Sequence, residues 1–193
     1  METKMQKKEN LIFVISGPSG SGKTSVIDKL LENDSLLRVA VSATTRPKRP
    51  LEIDGKDYYF MSKKNFEKHL EQKNFAEHAC VYGNFYGTLK SEIEKIGQAG
   101  CDLLFNKDYQ GLQNLKKHYK IIGIFIKPPS LSVLKERLEN RNQDSQEIIQ
   151  RRLEAAEKTL KDASFYDYVV INDNLESCTQ EICQIIKKAR IAT

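Results

Sequence analysis

Eight residues near the start, Gly17-Pro18-Ser19-Gly20-Ser21-Gly22-Lys23-Thr24, constrain the fold more tightly than any other stretch of this chain. They fill every fixed position of the pattern G-x-x-x-x-G-K-[ST]. Upstream, Leu11-Ile12-Phe13-Val14-Ile15 has the composition of a buried strand, and downstream Val26, Leu30 and Leu31 recur at helical spacing. The order predicted is therefore strand, tight loop, helix. Glycines let the loop backbone curl until its N–H groups converge on one point, and the helix adds its positive N-terminal end. Such a loop is a cradle for phosphate oxygens. In this arrangement Lys23 reaches the β- and γ-phosphates of a nucleoside triphosphate, and the Thr24 hydroxyl ligates magnesium.

The remainder of the chain continues the alternation that such a start implies. Strand-like apolar runs at 11–16, 37–41, 101–105, 121–126 and 168–171 are separated by amphipathic segments, the pattern of a parallel α/β sheet flanked by helices. Within 145–161, Ile149, Leu153, Ala156 and Leu160 form one apolar stripe, with Asp144 and Glu147 as a capping box. A last helix carries Leu175, Ile182, Ile186 and Ala189 on one stripe and takes Asp173 with Glu176 as its cap. Pro128-Pro129 ends the fourth strand, and Ser130 caps the helix that follows. Residues 42 to about 90 break the rhythm. Short alternating segments at 57–60, 75–80 and 84–88, with a helix near 64–70, predict a small mixed α+β lobe inserted into the parallel core.

With 193 residues the chain has the size of one domain, and its first nine are expected to form a polar, disordered leader without the apolar segment of a secretory signal. No apolar run is long enough to span a bilayer. The net charge of +5 comes from 31 basic and 26 acidic residues that interleave, so no basic tract for nucleic acid stands out, and the balance suits polyanionic nucleotide substrates. Cys80, Cys101, Cys178 and Cys183 lack metal or redox spacing, and His69, His78 and His118 are scattered. Reduced thiols in a cytoplasmic protein with no protein-derived metal site, no nucleic-acid partner and no membrane association are the expectation.

A phosphate loop fixes the donor and leaves the acceptor to the inserted lobe. There Arg46 and Arg49 stand three apart after a strand end, each a planar fork for phosphate oxygens. Tyr58 and Tyr86 can donate phenolic hydrogen bonds. Glu77 interrupts the otherwise apolar run Phe75-Ala76-Glu77-His78-Ala79. A carboxylate in a base pocket accepts from adjacent ring N–H and amine donors, a pair that guanine presents at N1 and N2 and adenine does not. As alternatives, the arginines are a solvated cluster, the tyrosines are core aromatics, and Glu77 is an edge-strand surface carboxylate.

The ordered set Ser42-Ala43-Thr44-Thr45-Arg46-x-x-Arg49, Asp54-Gly55-x-Asp57-Tyr58-x-Phe60, Glu77, Gly83-Asn84-Phe85-Tyr86-Gly87-Thr88 and Asp108-x-Gln110-Gly111 resembles the guanylate kinase family, over about residues 11–186. The resemblance implies a P-loop NTPase-type parallel core (11–41, 100–136 and 164–190), a GMP-binding lobe (about 42–90) and a helical lid (about 137–160). It implies ATP- and magnesium-dependent phosphorylation of GMP, and of dGMP, to the diphosphate; the sequence leaves the oligomeric state open between monomer and homodimer. Carried over by position, Gly17, Pro18, Ser19, Gly20, Ser21, Gly22, Lys23, Thr24 and Asn172 bind ATP. Arg46, Arg49, Tyr58 and Tyr86 bind the GMP phosphate, while Ser42, Glu77, Thr88, Asn106 and Asp108 belong to the GMP site. Lys23, Arg46, Arg137, Arg141 and Arg152 are the catalytic cations, the last three from the lid. Surface exposure is the alternative for those three arginines.

Three positions depart from the family pattern. Asn106 replaces an acidic residue and Lys107 an apolar one, and Asn142 follows Arg141 where a glycine is common. Asn106 keeps a hydrogen-bond acceptor without the charge, and Lys107 is expected to pair with Asp108 or project to solvent. Two other functions compete. A non-catalytic binding module of the same fold is opposed by intact Lys23, Thr24, Arg46 and Arg49. A monophosphate kinase for another base is opposed by Glu77 with Ser42.

Overall fold

The computed structural model describes residues 10–81, 83–140 and 145–192. Along the chain these form β1 (Ile12–Ser16), α1 (Lys23–Asn33), β2 (Leu37–Val39), β3 (Ala43–Thr44), β4 (Tyr59–Phe60) and α2 (Lys63–Glu71). There follow β5 (Phe75–Val81), β6 (Asn84–Leu89), α3 (Lys90–Gln98), β7 (Asp102–Asn106), α4 (Tyr109–Lys116) and β8 (Ile121–Lys127). The chain closes with α5 (Leu131–Glu139), α6 (Gln146–Leu160), a 3-10 turn (Lys161–Phe165), β9 (Tyr168–Ile171) and α7 (Leu175–Ile191).

Five strands make one sheet in the order β2-β7-β1-β8-β9, all pairs parallel. The central strand β1 is buried along its whole length, as expected of an apolar run covered on both faces. One face packs Phe13, Ile15 and Leu104 against α1 and α7, and the other packs Val14, Phe105 and Phe125 against Ile93, Leu112 and Tyr166. Each of these fully buried aromatic rings contributes about 1.5–3 kcal/mol of transfer free energy. The expected apolar stripes face inward: Ile149 and Ala156 on α6, and Ile182 and Ile186 on α7, are buried. Arg190 fastens the last turn of α7. Its guanidinium donates to Asp102 Oδ2 at 2.6 Å and pairs with Asp34 at 2.7 Å, joining α7, β7 and the end of α1.

The second sheet has the order β4-β3-β6-β5 and mixes one parallel pair with two antiparallel pairs. It has a small core of its own, in which Phe66 stacks on Phe75 and Phe85 at 4.3 and 5.4 Å. The mixed lobe expected between residues 42 and 90 is thus present, with α2 one residue longer at each end than the expected 64–70.

Two helix caps differ from expectation. Ser145 caps α6, its hydroxyl accepting from Ile148 N–H, whereas the expected cap, Asp144, lies outside the described residues. Asn174, and not Asp173, caps α7 by accepting from the N–H groups of Glu176 and Ser177. Ser130 caps α5 as expected, accepting from Val133 N–H at 3.1 Å.

Candidate active site

The loop between β1 and α1 leaves the C-terminal edge of the parallel sheet, where crevices in α/β folds hold ligands. Gly22 adopts φ +88° just before α1 begins, and a Cβ there would collide with the Asn172 side chain. A Cβ at Gly17 would collide with the Ile126 carbonyl of β8. The glycines are thus required by close approach as well as by backbone angle. Lys23 folds back over the loop, its ammonium donating to the carbonyls of Gly17 and Pro18 at 2.7 and 2.8 Å. Ser19 and Thr24 are exposed, whereas Pro18, Gly20 and Ser21 are buried, and among the described residues the Ser21 hydroxyl has no hydrogen-bond partner although it is buried within the phosphate loop.

Asn172 is 4% exposed, and its side-chain amide donates to the Ser21 carbonyl at 2.8 Å. This residue therefore braces the phosphate loop from the end of β9, a use that motif spacing did not reveal. Arg137, on α5, donates to the carbonyls of Asn172 and Asp173 at 2.9 and 3.2 Å. Beside these groups opens a cavity of about 480 Å³ that reaches Gly20, Gly22, Ser25 and Asn140. Arg152 is half-buried on α6. Arg141 lies outside the described residues.

The second sheet brings another set together. Arg46 follows β3 and grips Glu52 with both arms of its guanidinium, at 2.7 and 3.0 Å. Glu52 also accepts from Arg49 N–H at 2.8 Å, closing the Pro47–Pro50 loop on itself. The Arg46 hydrogen bond, with that backbone N–H, holds the Glu52 carboxyl down to about 2, against an ordinary 4.5. The same pairing raises the pKa of Arg46. Arg46 also lies 5.5 Å over the Tyr58 ring, and Tyr58 meets Tyr86 edge-on at 6.0 Å. Burial pushes the Tyr58 phenol upward. Three of the four expected phosphate ligands are therefore adjacent, and the Arg49 side chain stands exposed at the rim.

Glu77 owes its position to an irregularity in β5. The register passes from Phe75 opposite Leu89 to Glu77 opposite Thr88, leaving Ala76 as an extra residue. The shift turns Glu77 inward, where it is 5% exposed and its Oε1 accepts from the Thr88 hydroxyl at 2.9 Å. Ser42 completes the cluster, with its hydroxyl 3.3 Å from that of Thr88. Ser42, Glu77 and Thr88 are thus gathered as expected.

Lys107 joins them, which corrects the expectation of a partner in Asp108 or solvent. Its ammonium pairs with Glu77 Oε1 at 2.5 Å and donates to Ser42 Oγ at 2.9 Å. The Lys107 backbone N–H donates to Ile15 of β1 at 3.1 Å, so this residue ties the cluster to the strand that feeds the phosphate loop. Asp108 instead caps α4 by accepting from Gly111 N–H at 2.8 Å. Asn106 is exposed at the end of β7. Glu52 and Lys107 went unrecognised as site residues; the only sequence signals are an acid six residues after Arg46 and a lysine directly after a strand end.

A phosphate loop on a parallel sheet, joined to a second sheet that holds an arginine fork and a buried carboxylate, defines a nucleoside monophosphate kinase of the P-loop class. The family model described as guanylate kinase matches residues 9–189. Guanylate kinases of Thiobacillus denitrificans and Rickettsia bellii are 44% and 43% identical, over 94% and 96% of this chain and 87% and 98% of theirs. The crystal structure of guanylate kinase from Anaplasma phagocytophilum superposes with a TM-score of 0.76 at 32% identity, covering 97% of this chain and 89% of that one. The chain belongs to the guanylate kinase family.

Proposed function

We propose that this chain transfers the γ-phosphoryl group of ATP to GMP, and to dGMP, giving ADP and the nucleoside diphosphate. The observation that carries the acceptor assignment is the buried Glu77 with Thr88 and Ser42 beside it. A carboxylate there matches the N1–H and N2–H donors of guanine, whereas adenine offers a bare N1 acceptor and a C2–H at those two positions.

The donor residues fit ATP and magnesium. The buried Ser21 hydroxyl, unpartnered among the described residues, and the exposed Thr24 hydroxyl flank a lysine whose three donors suit phosphate oxygens. Thr24 would hold magnesium together with the nucleotide phosphates, and the ion supplies neutralisation of the charge shared by the β- and γ-phosphates. Lys23 exchanges its loop carbonyls for the β- and γ-phosphate oxygens. The cavity beside Gly22 and Asn172 receives the nucleoside of ATP.

Arg46 and Arg49, with Tyr58 and Tyr86, hold the acceptor phosphate in line. Phosphoryl transfer passes through a loose transition state, so alignment and charge neutralisation are the protein's work and no protein nucleophile is required. Arg137 and Arg152, in the segment 137–160 that acts as a lid, add positive charge and exclude water that would otherwise hydrolyse ATP. Asn106 and Asp108 stand at the edge of the guanine site. The role suited to this chemistry is supply of guanine nucleotides in the cytoplasm.

The test is ATP-dependent ADP release with magnesium, run side by side on GMP, dGMP, AMP, CMP, UMP and dTMP. Turnover within that panel is expected for GMP and dGMP alone. Turnover of a pyrimidine or adenine acceptor refutes the reading of Glu77, and tight GMP binding without turnover assigns the chain to a binding function.

A further inference from the structure

Lys107 stands against the carboxylate assigned above to the base of the acceptor nucleotide. Its side chain is 11% exposed and its partner Glu77 3%, so the pair sits where water competes little for either charge. Gly111 of α4 leaves room for the lysine stem, since a Cβ there would come within 2.9 Å of Lys107 Cβ and 3.3 Å of Cγ and Cδ. An ammonium has three N–H donors. Two are spent on Glu77 Oε1 and Ser42 Oγ. Among the described residues none accepts the third, and none donates to Glu77 Oε2. The cluster thus holds a donor and an acceptor side by side.

That pair is complementary to one feature of a purine, a carbonyl at C6 adjacent to an N–H at N1. We propose that Lys107 is a specificity-determining residue that shifts recognition toward the 6-oxo edge, so that the enzyme phosphorylates 6-oxopurine nucleoside monophosphates as a class, IMP included. The inference rests on the assignment of Glu77 to the base of the acceptor nucleotide. Lys107 donates to the C6 carbonyl and Glu77 Oε2 accepts from N1–H. Because the lysine already compensates the carboxylate charge, the C2 amine of guanine adds only an ordinary hydrogen bond. Its absence from IMP therefore costs little. Adenine presents the reverse edge, an amine donor at C6 facing the ammonium and a bare N1 facing the carboxylate, and is rejected twice over.

The reaction balances as in the GMP case. A 5′-phosphate oxygen of IMP attacks the γ-phosphorus of ATP. The bond from that phosphorus to the β–γ bridging oxygen breaks, its electron pair leaving with ADP, and IDP is formed.

The experiment compares kcat/KM for GMP, IMP and AMP in the native chain, in Lys107→Met and in Lys107→Arg. The IMP-to-GMP ratio is taken on one preparation, so it does not depend on the fraction folded. In the native chain IMP is expected within about tenfold of GMP, the loss of one ordinary hydrogen bond, with AMP at least about a thousandfold lower. Lys107→Met keeps the unbranched stem and removes the donors; the ratio is expected to fall about tenfold or more, mainly through the KM for IMP. Lys107→Arg, which keeps donors and charge, holds the ratio closer to native than Met does. Native IMP turnover below that range overturns the inference, as does a ratio that Lys107→Met leaves within about threefold of native. Either result with GMP turnover intact leaves the guanine-site reading standing. Absence of GMP turnover in the native chain overturns both.

Discussion

The phosphate loop and the acceptor lobe are held by different kinds of interaction. Around the loop the restraints are backbone restraints: glycines pressed against Ile126 and Asn172, an amide of Asn172 on the Ser21 carbonyl, and Lys23 on two carbonyls. The acceptor lobe is held by side-chain charge. Arg46 grips Glu52, Lys107 grips Glu77, and a modest aromatic cluster supports them. A backbone cradle is rigid and indifferent to what the phosphate is attached to. Ion pairs between side chains can open for a substrate and can be retuned by one substitution, which suits the half of the site that must recognise a particular base.

The largest expected break in this contrast comes from Lys23→Met. Removing the cation that follows the transferring charge is expected to lower kcat by about 10²- to 10³-fold. GMP affinity, measured by calorimetry without ATP, should stay within about threefold if the lobe binds its ligand independently of the loop. An equal loss of GMP affinity would show that the two halves are one binding unit. A smaller effect is expected from Arg46→Lys, which keeps the charge and gives up the fork. The KM for GMP should rise about ten- to a hundredfold while the KM for ATP is unmoved, corresponding to the loss of one or two charge-assisted hydrogen bonds. A matching rise for ATP would place Arg46 at the donor phosphates instead.

The same contrast accounts for what could be read in advance. Loop, strand and helix around Gly17–Thr24 were legible because their geometry follows from local backbone preferences. The parallel alternation and the apolar stripes on α6 and α7 were legible because burial imposes a period on the chain. Caps slipped by one residue where neighbours were equally able to accept a hydrogen bond, as with Ser145 beside Asp144 and Asn174 beside Asp173. Glu77 stood out because it interrupts an apolar run, and Ser42 and Thr88 through resemblance, but the lysine beside them did not. Pairing of Lys107 with Glu77 depends on the extra residue at Ala76 and on how the end of β7 meets a different sheet. Neither is encoded in spacing along one segment.

Acid provides the gentlest way to separate the two regions. Folding lowers the Glu52 carboxyl to about 2 from an ordinary 4.5, through the Arg46 fork and then the Arg49 N–H. A depressed carboxylate favours the folded state wherever it is ionised in both states, so its contribution is complete above about pH 4.5 and drains away as the pH falls toward 2. The pair closes a loop whose residues 47–51 are all exposed, and solvent screening keeps that contribution small. Glu52→Gln removes the titration and keeps the shape. Native and Glu52→Gln thermal midpoints, followed from pH 6 downward, should differ by a constant small amount until about pH 4.5 and then converge. Lys23→Met, altering a loop whose bracing carbonyls do not titrate, should show no such convergence with the native chain. A gap between native and Glu52→Gln that persists unchanged to pH 3 would mean that Glu52 works through its shape and hydrogen-bond geometry and not through its charge.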